Sequence, residues 1–421
     1  MPALGATNLG ALTPCSLDEI DICLSHEQGK NTPISFTAQS LNSIRDKPML
    51  ESALIQWVST KWRRSSTDSF HIREFVSEDA VHALERLATS APGAVLALLP
   101  HGKLEGVDRK LSAIFRERLL EKQRAWPDLA VAASASLICL DAYPKLLAPQ
   151  LYVQSAADEN PSLTDWDGYK SLLDSLISAV SGGHQIRNQV LGRAEQICSI
   201  FYELFKNTHD HARLSLDNRV LRDSVRGIYA RFYPVASFKE LTESSEEKER
   251  SRNILEHYLA TVVNRHFRKP IGQGKSERLS GFLEISVFDS GPGLAAKWST
   301  QEKQLTLNVN ELTGQEQSAF VSKCFGKGFS TTNDGKRGFG LWKVLQQLEQ
   351  ISGCIRVRTN KVHLFREFGT GLGLRTEQHA GGLTLPEQVL FDWKKGVSTS
   401  VSDYADIEGT LISMMLPLED V

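Results

Sequence analysis

The chain has 421 residues, 41% of them hydrophobic and 23% charged, with a formal net charge of −2 at pH 7. This is globular composition, long enough for two domains or more. The near-zero balance lacks the basic excess typical of a nucleic-acid partner, and no run approaches the ~18 apolar residues of a membrane span.

Residues 1–33 are mixed and polar and read as a lead-in segment; their start, MPALGATNLGALTPC, lacks a basic n-region, so no secretory signal is expected. From 34 to 156 strand and helix patterns alternate. ISFTA, FHIREFV, GAVLALL and VAASASLICL read as strands, and PMLESALIQWVSTKW, SEDAVHALERLATSA and VDRKLSAIFRERLLEKQ as helices, which suggests an N-terminal α/β domain. His101-Gly102-Lys103 reads as a solvated turn. ADENPSLTDWDG at 157–168 is a boundary loop, and 157–185 is assigned as linker and helix. Helices are expected over 166–181 and 186–213, separated by Ser181-Gly-Gly183. The charged stretch 214–280 reads as a helical insertion with one wet face. The six cysteines, Cys15, Cys23, Cys139, Cys198, Cys324 and Cys354, have no C-x-x-C spacing and read as reduced core thiols of a cytoplasmic protein.

Three stretches carry chemistry. In AEQICSIFYELFKNTHDHAR, 194–213, Ile197, Ile200, Phe201, Leu204 and Phe205 fall at helical spacing and face a core. Glu203, Asn207, Asp210 and His211 follow the i, i+4, i+7, i+8 rule on another ridge. Asparagine beside carboxylates suits Mg²⁺, which takes a few protein oxygens plus phosphates and waters; a solvated helix face is the alternative. In FLEISVFDSGPGLAAKW, 282–298, Leu283, Ile285 and Val287 alternate as in a strand, which Asp289-Ser290-Gly291-Pro292-Gly293 then breaks. A carboxylate there can accept from an exocyclic amine, with glycines allowing close approach of a flat ring; a tight turn closing a hairpin is the alternative.

Two glycine-rich stretches compete as a phosphate turn. After Gly338-Phe339-Gly340 come Leu341, Val344, Leu345, Leu348 and Ile351, so a helix opens at the glycines, as phosphate binding at a helix N-terminus requires. Lys327, Lys336 and Arg337 lie in the preceding Gly-, Ser- and Thr-rich loop, which suits a mobile lid. After GTGLGL at 369–374, Gly381-Gly382 and Pro386 leave no room for a long helix, so this second stretch reads as a surface loop or hairpin turn. Finally, Glu408-Gly409-Thr410 runs into LISMMLP, a turn and a closing strand, with the Thr410 hydroxyl either facing a ligand or simply starting the strand.

Taken in order, E-L-F-K-N-T-H-D-H-A, D-S-G-P-G, G-K-G-F-S-T-T…R-G-F-G-L-W-K-V-L and G-T-L-I-S-M-M-L-P resemble the N-box, first glycine box, lid with second glycine box, and closing strand of the GHKL superfamily of gyrase-like, chaperone, mismatch-repair and histidine-kinase ATP-binding domains. The resemblance covers 186–421. It implies an α+β fold: a two-layer α/β sandwich (the Bergerat ATP-binding fold) with helical insertions, preceded by the N-terminal α/β domain. The expected lid spans about 294–337 and a second insertion about 360–405. It further implies ATP and Mg²⁺, with Asn207 as the metal ligand, Asp289 and Thr410 reading adenine, and Gly291 and Gly293 near the base. Gly338, Gly340 and Leu341 would lie at the phosphates with Lys327 and Arg337 of the lid. Asp210 and His211 would line the site, and Glu203 would be a general base.

Departures from the pattern limit what carries over. Only Leu418–Val421 follow the closing strand motif, so the further domain whose lysine reaches the γ-phosphate in gyrase-like members is not expected. His184 has a faintly suitable neighbourhood for a phospho-acceptor, but without a second long helix before the N-box it reads instead as a polar residue starting a helix. The expected function is an ATP-hydrolysing switch that couples nucleotide state to the N-terminal domain or a protein partner. Transfer of the γ-phosphate to a partner protein, and ATP or ADP sensing without turnover, are the alternatives. Members of the superfamily often dimerise, so a homodimer stands among the expected assemblies.

Overall fold

The structure is a computed structural model. It describes residues 14, 16–27, 34–36, 44–64, 70–72, 80–98, 108–124, 134–141, 147–153, 162–180, 184–217, 219–221, 224–242, 252–267, 279–303, 309–328, 339–369 and 389–419. In chain order they carry α1 (Leu17–Glu27), β1 (Ile34–Phe36), α2 (Leu50–Arg64), β2 (Phe70–Ile72), α3 (Ala80–Leu87), α4 (Ala91–Leu98), α5 (Arg109–Arg124) and β3 (Ser134–Leu140). Next come α6 (Trp166–Val180), α7 (His184–Leu191), α8 (Ala194–His211), β4 (Val225–Pro234), α9 (Lys239–Thr242), α10 (Ile254–Phe267) and β5 (Leu279–Asp289). Last are α11 (Leu294–Lys303), α12 (Gly314–Cys324), α13 (Gly340–Gln350), β6 (Cys354–Thr359), β7 (Val362–Glu367), β8 (Phe391–Asp392) and β9 (Thr410–Glu419).

This is an α+β architecture built on one seven-stranded sheet of order β3-β4-β5-β9-β6-β7-β8, with every neighbouring pair antiparallel. β1 and β2 form a separate short parallel pair. Alternation along β5 shows how the sheet is buried. Leu283, Ile285 and Val287 point to a front core shared with α6, α8 and α13, where Phe201, Leu204, Phe205, Val344 and Leu348 pack. Phe282 and Phe288 point the other way, into a back core shared with α2, α4 and α10. Each fully buried phenylalanine contributes about 1.5–3 kcal/mol.

The structure departs from the sequence expectations at several points. Helices pack on both faces of the sheet: α6, α8 and α13 in front, and α2, α4 and α10 behind. Helices from the 34–156 segment cover the back face, and β3, also from that segment, is the sheet's edge, paired to β4 from Ser134↔Arg231 to Leu140↔Val225. The cause is the apolar surface on both faces of the strands, which demands cover on both sides. GAVLALL is not a strand: Ala91–Leu98 is a helix buried along its whole length, so its pattern has no periodicity to distinguish the two. The expected helical insertion 214–280 contains a central strand, β4, beside α9 and α10.

The expected 186–213 helix is two helices, α7 and α8, with a turn at Gly192 and Arg193; His184 opens α7. The expected second insertion carries β7 and β8, which extend the sheet. Cys23, Cys139, Cys198, Cys324 and Cys354 are free thiols; Cys15, His101-Gly102-Lys103 and the GTGLGL stretch beyond Gly369 lie outside the described residues. Among the described residues no helix is long and apolar enough to cross a membrane.

Candidate functional site

A cleft of about 360 Å³ opens on the front face, walled by α8, the β5–α11 loop, the start of α13 and the start of β9. It is lined by Glu203, Asn207, Asp210, His211, Asp289, Gly293, Gly340, Leu341 and Thr410, so four segments far apart in sequence meet in one place. The apolar stripe of α8 determines this. With Ile197, Ile200, Phe201, Leu204 and Phe205 at most 1% exposed in the front core, the ridge of Glu203, Asn207, Asp210 and His211 faces the cleft. Gly291 packs against Ala212 at the end of α8 rather than lining the cleft. Lys327 is exposed, its ammonium 5.0 Å from the centre of the Trp342 ring, and does not line the cleft. Arg337, Gly338 and Lys336 lie outside the described residues.

Asp289 ends β5 opposite Thr410 of β9 and Arg226 of β4. Its Oδ1 accepts from the N–H of Gly291 at 2.9 Å and of Thr410 at 3.2 Å. Burial raises its carboxyl to about 7, against the pull of those two N–H groups and the Arg226 charge. The Thr410 hydroxyl lies 3.3 Å from that of Thr359, which also accepts from the Leu294 N–H and donates to the Gly409 carbonyl. Gly293 turns the chain at φ +87°, and a Cβ there would fall 2.3 Å from Asn360 Oδ1.

The cleft carries three lysines that the motifs did not single out. Lys206 pairs with Asp210, and Lys343 with Glu203 at 3.2 Å. Lys297 has no ion-pair partner among the described residues, and burial lowers its pKa. The Asn207 side chain likewise has no hydrogen-bond partner among the described residues, although its neighbour His209 meets Tyr152 at 3.3 Å and burial, with Arg226 and Arg213, holds that imidazole down at about 4. Glu203 lies against the first residue of α13: a Cβ on Gly340 would come 2.9 Å from its Oε2.

The N-termini of α12 and α13 differ. Thr313 and Glu316 close a full capping box on α12. Phe339, just before α13, supplies no side-chain cap, and Gly340 and Leu341 of the first turn line the cleft. Uncapped first-turn N–H groups and the helix dipole make such an end receptive to an anion. Among the described residues no three His, Cys, Asp or Glu side chains cluster to hold a metal by themselves. The Asn207 amide oxygen could hold a metal only together with ligand oxygens and water.

Tyr202, Lys206, Lys297, Trp298 and Lys343 also line the walls without having been anticipated. For Tyr202 and Lys206 a signal existed, since 202, 206 and 210 repeat at i, i+4, i+8 beside the ridge already identified. For Lys297, Trp298 and Lys343 none did, because their membership depends on how α11 and α13 approach α8. No protein-family model, no curated protein and no solved structure matches the chain.

Proposed function

We propose that this cleft binds Mg-ATP in a GHKL-type (Bergerat) arrangement and that the protein is an ATP-hydrolysing switch. The observation that carries the reading is the convergence of Asn207, Asp289 with Thr410, and the uncapped start of α13 on one cleft. Its volume of about 360 Å³ lies within the ~300–1,000 Å³ usual for small-molecule sites.

The residues present fit the group. Asp289 Oδ1 is engaged by two N–H groups, which leaves Oδ2 to accept from a purine 6-amino group. Thr410 helps at the same end. The α13 N-terminus and Lys297 supply positive potential for phosphates, with Lys327 and Arg337 of the lid nearby in sequence. Asn207 would hold Mg²⁺ together with phosphate oxygens, and Mg²⁺ when bound would neutralise phosphate charge. Glu203, one helical turn before Asn207, would orient a water and take its proton.

The Lys343–Glu203 pair favours a second reading. With its Oε1 held by the Lys343 ammonium at 3.2 Å, Glu203 is engaged and not free to orient a water, so turnover would be slow and the protein a nucleotide sensor. Incubation with γ-labelled ATP separates the outcomes. Free labelled phosphate is expected; label on a partner protein would mean a kinase, and neither would mean a sensor.

A further inference from the structure

Helix α2 ends against the two loops that shape the base-recognising end of the cleft. Gln56 Nε2 donates to the carbonyls of Arg358 at 3.0 Å and Glu408 at 3.1 Å. The buried Thr60 hydroxyl accepts from the Glu408 N–H at 3.0 Å and donates to the Gln56 carbonyl at 2.8 Å. Arg63 donates to the Ser290 carbonyl and lies 3.5 Å from Glu408 Oε2. Arg64 pairs with Asp406 and lies 3.5 Å from Glu408 Oε1.

Ser290 immediately follows Asp289, and Glu408 stands two residues before Thr410. The two loops touch each other as well as α2. Gly409, at φ +72°, is so close to the Asp289 carbonyl that a Cβ would lie 1.9 Å from it, and the Thr410 N–H donates to Asp289 Oδ1. One helix end thus holds both halves of the base-reading pair from behind, by bonds to main-chain atoms that no change in the cleft's own side chains would replace.

We infer that Arg63 and Thr60 are positioning residues for recognition of a purine 6-amino group. They fix the Ser290 carbonyl and the Glu408 amide, and so the alignment of the Asp289 carboxylate with the Thr410 N–H. The inference rests on the nucleotide reading above and adds a route by which the N-terminal segment acts on the site. By linkage, a ligand that tightens Asp289 against Thr410 tightens the α2 contacts by the same factor.

The test is calorimetry with Mg-ATP and Mg-ITP, which carries a 6-oxo group in place of the amine, on wild type, Arg63→Ala, Arg63→Lys and Thr60→Val. Wild type is expected to prefer ATP by about tenfold or more. Arg63→Ala and Thr60→Val should each shrink that preference to about threefold or less by weakening ATP alone. Arg63→Lys, which keeps a donor for the Ser290 carbonyl, should retain part of it. A residue that merely stabilised the fold would weaken both nucleotides alike, so variants that keep the wild-type ratio overturn the inference. A wild type that binds neither nucleotide overturns the nucleotide reading with it, whereas one that binds both equally overturns recognition of the 6-amino group, and this inference with it, and leaves nucleotide binding standing.

Discussion

Behind the sheet, the Glu284 carboxylate accepts four hydrogen bonds: from the Met49 N–H at 2.8 Å and from Ser52, Tyr233 and Ser286 hydroxyls at 2.9 Å each. Glu51 accepts from the Ala91 N–H and the Tyr229 hydroxyl, and Asp21 of α1 binds Arg358 and His363. In front of the sheet, Asn207 and Lys297 stand half-buried in a cleft with no side-chain partner among the described residues. Polar groups at the back tie the helices of the N-terminal segment to the strands. Those at the front are held in place by a packed helix and left with bonding capacity to spare. A buried polar group costs stability unless it is paired, so the partnered groups at the back speak for architecture, while the half-buried Asn207 and Lys297 keep donors and acceptors that the proposed nucleotide would meet.

That contrast can be broken by substitution. The largest effect is expected of Asn207→Ala, which should abolish detectable Mg-ATP binding while changing unfolding free energy by no more than about 0.5 kcal/mol. Calorimetry and a thermal melt check the two halves. Glu203→Ala should keep binding and lower turnover by about 10²–10⁴-fold; hydrolysis at the wild-type rate would remove Glu203 from the role of base.

Asp289→Asn should weaken ATP by about tenfold or more, because an amide N–H₂ would face the donor amine, yet it should stabilise the protein. Burial raises the Asp289 carboxyl to about 7, above its ordinary value of 3.8. The protonated form therefore favours folding below about 4, and that contribution is lost as pH rises through about 7. The melting advantage of the Asn variant should grow between those values and level off above them. The smallest effect on nucleotide is expected of Glu284→Ala. It should cost about 3 kcal/mol or more of stability, because four buried donors lose their acceptor, and move Mg-ATP affinity by less than about threefold, measured by denaturant unfolding and calorimetry.

How much of this was legible in the sequence also divides by face. α8 was readable because its core residues recur at helical spacing, and β5 because Leu283, Ile285 and Val287 alternate before the break at Asp289. β4 was not. VRGIYARFYP is buried on both faces and carries Arg226 and Arg231 inside, so it shows neither clean alternation nor an apolar run. The burial of Arg226 becomes intelligible only with Asp141 and Tyr152 in place, its Nη2 donating to the Tyr152 hydroxyl at 2.7 Å. The back layer was hidden for a related reason. Nothing in the sequence marks Glu51 and Glu284 as buried, and only their partners across the sheet explain why they are inside.

Among the lining residues, those to which the motifs assign a role were found, whereas Lys206 and Lys343, inside the motif segments, and Lys297, just past one, were not; for Lys297 and Lys343 membership depends on how the helices approach. Lys297 and Lys343 each sit one or two turns past a recognised glycine segment, where a lysine is normally a solvated side chain.

Isothermal calorimetry of the intact chain with ATP and magnesium, repeated on Asn207→Ala, tests the central claim most directly. Saturable binding at one site per chain, lost in the variant, is the result expected if Asn207, Asp289 and the start of α13 surround one adenine nucleotide. No heat from the wild-type protein, or equal binding by both proteins, would contradict it.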